Sequence, residues 1–231
     1  GRSNWIILGE FMLVSILMGS FFMYLRFFRI NEYRNRKHVT FMVLLITFFV
    51  ILTAINVSYN FFNVYIIPFA IVTILIRTFI DSRTALFGSL ITVLICTLMV
   101  SFAFEFMILQ MTIIMICIFN LKELTERSQL IRSSFIILGS YVVVYVALVL
   151  AQEGDVTKIS WETLIYFLIN FIFITFSYLL VYMVEKSFGF ISGVSMVELA
   201  NINKPILRKL SEEAPGTFQH SMQVSNLAAA A

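Results

Sequence analysis

Apolar runs separated by short polar breaks fill the chain up to about residue 187, and the pattern changes abruptly after it. A helix needs ~20 mainly apolar residues to cross a bilayer, and seven runs come close to that length: residues 5–25, 39–57, 64–80, 84–102, 104–121, 131–151 and 161–184. The fourth and fifth almost touch at Ala103. None of the seven carries the polar stripe that a soluble helical bundle turns to water. The pattern therefore predicts an all-α integral membrane protein, a seven-transmembrane helix bundle over residues 1–187. Residues 188–193 (Phe-Gly-Phe-Ile-Ser-Gly) read as a short flexible exit. Beyond it Leu199, Ile202, Ile206 and Leu210 recur at three- or four-residue steps, with Glu198, Lys204, Arg208 and Lys209 between them, which is the spacing of an amphipathic connector helix over 188–213. Pro205 is expected to kink or restart that helix. Pro215-Gly216-Thr217 reads as a turn with Thr217 as the N-cap of a further helix carrying Phe218, His220, Met222, Val224 and Leu227.

Composition agrees with the pattern: 60% of residues are hydrophobic and 13% charged, outside the range of soluble domains. The charges also set an orientation. Cytoplasmic loops concentrate Lys and Arg. Here Arg26, Arg29, Arg34, Arg36, Lys37, Arg77, Arg83, Lys122, Arg127, Arg132, Lys186, Lys204, Arg208 and Lys209 fall on one side, leaving Arg2 and Lys158 on the other. The N-terminus is thus expected outside and the C-terminus in the cytoplasm, in agreement with an odd number of spans. Trp5 and Trp161 both fall at the outer interface, where indoles belong. The first run is not expected to be a cleaved signal peptide, since its positive flank follows the apolar stretch. The net charge of +3 is met by anionic headgroups, and no nucleic-acid partner is expected. Cys96 and Cys117 lack metal or disulfide spacing and read as small buried residues.

Ionisable and amide residues at bilayer depth are candidates for function. Glu105, Glu162, Glu185 and Arg77 lie close enough to an interface to be hydrated; Glu10, with Asn56 and Asn170, could line an outer cavity. The sequence has no central ladder of Asp, Glu or His and no pair of Gly/Pro-broken half-helices of the transporter kind. Pro68 is a single break in the third run. Asp81-Ser82-Arg83 makes a tight inner turn whose charges pair with each other or with lipid, and Ser15 with Gly19 permits close helix packing.

The residues after the last run carry a resemblance. Glu198-Leu199, Asn201, Asn203, Pro205, Leu207, Leu210, Glu213-Ala214-Pro215-Gly216-Thr217, His220-Ser221, Val224 and Asn226-Leu227-Ala228 resemble the entry into the HD domain of the seven-transmembrane HD hydrolases, the PgpH-type cyclic di-AMP phosphodiesterases. The resemblance implies a bacterial multi-pass protein of the inner, cytoplasmic, membrane that hydrolyses cyclic di-AMP to linear pApA. It implies two divalent transition metals, manganese or iron, in a helical cytoplasmic domain, with His220 as the first metal ligand. Two metals suit phosphodiester hydrolysis because they bind phosphate oxygens and activate water. Many relatives have His-His-Ser where this chain has Gln219-His220-Ser221. Residues 214–231 would then be the start of an HD domain truncated before its remaining ligands, so these residues alone are expected to be catalytically inert. The expected partners are the lipid bilayer and, for the intact protein, cyclic di-AMP, with an extracellular ligand and self-association left open. The alternatives are a non-enzymatic seven-transmembrane receptor and a transporter with a regulatory tail.

Overall fold

The computed structural model of the chain describes residues 4–121, 127–199, 201 and 203–230. Among them the fold is all-α. The helices are α1 (Asn4–Phe28), α2 (Ile30–Arg34), α3 (Arg36–Tyr59), α4 (Ala70–Phe79), α5 (Ser82–Thr97), α6 (Ala103–Asn120), α7 (Arg127–Glu153), α8 (Trp161–Thr175), α9 (Ser177–Phe188), α10 (Gly193–Leu199), α11 (Pro205–Glu213) and α12 (Pro215–Ala230). The chain divides into two compact units, Gly1–Ser192 and Gly193–Ala231.

In the first unit, five stretches among the described residues are long and apolar enough to cross a membrane: α1, α3, α6, residues 128–153 of α7, and α8 with α9 taken together. The third and fourth apolar runs form shorter helices. The ten residues of α4 rise about 15 Å, half of a ~30 Å hydrocarbon core. Pro68 is the cause. It cannot donate to an α-helical ladder, so the run opens as a 3₁₀ turn, Val64–Ile66, and becomes α-helical only at Ala70.

What α4 lacks in length it makes up in burial. Residues from Ala70 to Ile76 are all buried and all but Thr73 are apolar, so α4 is covered on every side, as a central helix should be. It packs on α3, α5, α6 and α9. Gly88 of α5 lets α4 come close: a Cβ there would lie 2.9 Å from Ile76 Cδ1. Next to that contact the Thr73 and Ser89 hydroxyls bond at 2.8 Å. Gly19, by contrast, has nothing within 4 Å of an added Cβ, and Ser15 Oγ donates to the carbonyl of Phe11 in its own helix. The close-packing glycine is therefore Gly88. Cys96 and Cys117 are fully buried among the core residues.

The seventh run is also interrupted. At Phe176 the hydrogen-bond register shifts, with the N–H of Leu179 bonding back to Phe176 O, and α8 gives way to α9. The broken third run and the last run are joined by Asn170, whose Nδ2 donates to the carbonyls of Tyr65 (2.8 Å) and Ile67 (3.1 Å).

Among its described residues the second unit holds three helices. Pro205 restarts the helix as its first residue, the position where proline's fixed φ suits the first turn. The same preference moves the start of α12 to Pro215, so Thr217 sits inside the first turn and not at the N-cap. Ile202 of the connector pattern lies outside the described residues, as do Arg2, Lys122, Ala200 and Ala231.

Candidate functional site: the exit from the bundle

The ends of α1, α3, α4, α5 and α9 that carry basic residues meet at one end of the first unit. Arg29, just after α1, donates to Asp81 Oδ1 at 3.1 Å. Asp81 is also the N-cap of α5, accepting from the backbone N–H groups of Arg83 and Thr84 and, at Oδ2, from the Thr84 hydroxyl. One carboxylate thus caps a helix and ties it to the α1–α2 corner. Its partner is Arg29, where sequence reading expected Arg83 or lipid. The Tyr24 side chain first, and Asp81 after it, hold the Arg29 guanidinium above its ordinary pKa, so the arginine side of the pair stays charged at any ordinary pH. His38 Nδ1 is paired with Glu32 of α2.

The exit segment closes this end. α9 stops at Gly189, whose positive φ of 69° is the left-handed cap that glycine adopts without strain. Its N–H bonds to Glu185 O and the chain turns back. Phe190 returns onto Phe188, with ring centroids 5.4 Å apart. It also meets Phe41 of α3 edge-on at 5.5 Å, Phe79 of α4 at 5.4 Å and the His38 ring at 5.0 Å. Each such aromatic contact contributes ~0.5–1.5 kcal/mol beyond area burial. Two polar bonds pin the segment on either side. Glu185 Oε1 accepts from the backbone N–H of Ser192 at 2.9 Å, and Lys37 Nζ donates to the carbonyl of Phe188 at 3.2 Å. The exit is therefore a packed latch, not the flexible strip expected from its glycines. The repeat of Phe188 and Phe190 around Gly189 was the available signal.

The other expected site residues scatter. Asn56 Oδ1 accepts from the N–H of Phe62, and Asn170 brackets the Pro68 turn. Both serve the α3–α4 connection, while Glu10 sits on α1, whose main contacts are with α2 and α5. The three do not form one site. Glu105 accepts from Gln152 across α6 and α7. Glu162 is exposed in the first turn of α8, where a carboxylate favours the helix dipole. Trp5 and Trp161 are both about four-fifths exposed (80% and 79%). In the second unit His220 is exposed on α12. Among the described residues no three His, Cys, Asp or Glu side chains gather as a metal site.

Comparison with known proteins supplies the context. The chain is 27% identical over 213 residues to the cyclic-di-AMP phosphodiesterase PgpH of Bacillus subtilis, a match covering 87% of this chain and 30% of that protein. It is 35% identical over 114 residues to the cyclic-di-AMP phosphodiesterase PgpH of Listeria monocytogenes, covering 48% of this chain and 16% of that protein. The chain thus spans under a third of the length of the curated relatives it matches. No solved structure matches. Residues 4–192, the whole described part of the first unit, match the family described as 7TM receptor with intracellular HD hydrolase, and the chain belongs to that family.

Proposed function

We propose that this chain is the membrane anchor and sensor part of a metal-dependent cyclic di-AMP phosphodiesterase. The bundle spans the bacterial cytoplasmic membrane seven times, with α1, α3, the Val64–Phe79 segment, α5, α6, α7 and α8–α9 as spans. The N-terminus is outside, and the end that carries Arg29, Lys37 and Phe190 faces the cytoplasm. The short α4 crosses with the help of the 3₁₀ turn that precedes it. A signal received by the spans leaves through the latch at residues 188–192 and the connector helices to an HD domain.

The observation that carries this reading is the latch itself, in a chain of a receptor–hydrolase family. Phe190 touches α3 and α4 at once, so a relative shift of those helices changes the seat of the segment that leads out of the bundle. The fully buried stretch of α4 offers no polar path to a solute, which favours a sensor over a transporter.

His220 would be the first metal ligand of the HD domain. Its exposed imidazole suits manganese or iron, but a single imidazole does not make a two-metal site. Residues 1–231 therefore supply one ligand, and no chemical step is assigned to them. The test is manganese-dependent conversion of cyclic di-AMP to pApA by the full-length protein beside its His220→Ala variant. Turnover by the wild type and its loss in the variant would support the proposal. Turnover retained by the variant would remove His220 from the ligand set. A folded, metal-binding wild type without turnover would make the protein a non-enzymatic receptor.

A further inference from the structure

We propose that the groove between α3 and α9 is a binding site for one anionic membrane phospholipid, with an acyl chain lying over α4 and the headgroup held by Lys37.

The groove follows from the shortness of α4. Pro68 delays the α-helix of the third segment, while α3 and α8–α9 on either side run on. The recess between these walls is a cavity of about 920 Å³, toward the large end of the ~300–1,000 Å³ usual for small-molecule sites. Its floor is ordered core: Phe49, Ile71 and Leu75 line it and are buried at 3%, 4% and 3% exposure. Its walls include Phe173 and Leu179, both exposed. Apart from the Ser187 hydroxyl and the Met183 thioether, every lining side chain is hydrocarbon. A site built to recognise a polar solute places a few convergent polar groups on its walls, and this one has none along its length. The chemistry that fits is an alkyl chain.

One end of the groove is different. Phe188 lines it, and the carbonyl of Phe188 accepts from Lys37 Nζ at 3.2 Å. The ammonium therefore stands at the mouth of the groove. It has three donors, and the carbonyl takes one. No carboxylate lies within ion-pair distance of Lys37 among the described residues. Glu32 is engaged with His38, Asp81 with Arg29, and Glu185 with the N–H of Ser192. A cation with donors to spare at the end of a hydrocarbon slot complements a phosphate at the end of an acyl chain. Exposed basic side chains at such a depth attract anionic headgroups. A neutral lipid would fill the slot but leave the ammonium without a counter-charge, and a second copy of the chain would have to put side chains into a slot shaped by its own short helix.

The experiment compares the full-length protein with two variants, each reconstituted in vesicles of equal phosphatidylglycerol and phosphatidylcholine. Each is then extracted into mild detergent, and the co-purifying lipid is measured by mass spectrometry. Wild type should retain phosphatidylglycerol over phosphatidylcholine by about fivefold, the preference one surface lysine confers. Lys37→Gln should bring the ratio to near one while total lipid stays. Leu179→Trp, which fills the groove from an exposed wall position, should remove most of the lipid of both kinds with the melting temperature unchanged. Equal retention of the two lipids by wild type, meaning adventitious annular lipid only, would overturn the proposal. So would unchanged retention in both variants, or a wild-type dimer that Leu179→Trp splits, which would make the groove an interface between copies.

Discussion

Replacing Asn170 with Leu tests whether the broken third segment is held by the last long one. Asn170 is fully buried, and its two bonds, 2.8 Å to Tyr65 O and 3.1 Å to Ile67 O, differ in consequence. Ile67 O also accepts from the N–H of Phe69, so it loses one bond of two, worth ~0.5–1.5 kcal/mol. Tyr65 O has no second donor within bonding distance among the described residues; left unpaired in an apolar setting, it costs ~1–3 kcal/mol. Against this, leucine removes the amide oxygen of Asn170, which has no hydrogen-bond partner among the described residues, and keeps the same branched outline with somewhat bulkier ends. Interhelical bonds in membranes average only ~0.6 kcal/mol because the unfolded chain also finds partners. The net expectation is destabilisation of about 1–3 kcal/mol, taking these terms together. The assay is reversible unfolding in detergent by SDS titration. Hydrogen exchange should show lost protection confined to the Ile66, Ile67 and Phe69 amides. A change below ~0.5 kcal/mol, under even the average membrane bond, or exchange spread evenly over the bundle, would refute the idea that this side chain fixes the break.

Four further substitutions have outcomes set by the same structure. Gly88→Ala should be near neutral, because the atom it meets is the flexible end of Ile76 and alanine favours the helix. Gly88→Leu should cost about 1–3 kcal/mol by overpacking, read as a lower SDS midpoint. Asp81→Ala should lose an N-cap, ~0.5–2 kcal/mol, and the half-exposed pair with Arg29, up to ~1 kcal/mol. A double-mutant cycle with Arg29→Ala should show a small coupling that shrinks in high salt. Phe190→Ala should raise exchange of the hydrogen-bonded Gly189 and Ser192 amides about tenfold, equivalent to ~1.4 kcal/mol, with the α8 amides unchanged; protection retained at those two amides would argue against the latch.

The long helices were legible because an apolar run of spanning length leaves few alternatives, and their ends fall within a few residues of the expected ones. The interruptions were only half legible. Pro68 announces the first, since proline removes a donor wherever it falls. The break at Phe176 has neither proline nor glycine, and the carbonyls that Asn170 serves lie more than a hundred residues away in sequence. Local pattern cannot carry that. The same limit explains Gly19 and Gly88. Both are helical glycines, and only the approach of Ile76 tells the packing one from the idle one. Asp81 was read with its neighbour Arg83, whereas its ion partner comes from the α1–α2 corner. At the exit, glycine-rich composition suggested looseness, yet the aromatic rings on either side of Gly189 find Phe41 and Phe79 from distant helices. For His220 the sequence offers a family pattern and the structure offers exposure on α12, and its role as a ligand remains a proposal.

The most direct test of the account is the rate of cyclic di-AMP hydrolysis by the full-length protein in membranes, measured for wild type and Phe190→Ala with the HD domain unaltered. If the latch carries the signal from bundle to catalyst, the variant's rate shifts severalfold in membranes, and the two proteins give equal rates once detergent has uncoupled the bundle. Equal rates in membranes, with the latch shown to be open by hydrogen exchange, would contradict the claim that the bundle governs the hydrolase through residues 188–192.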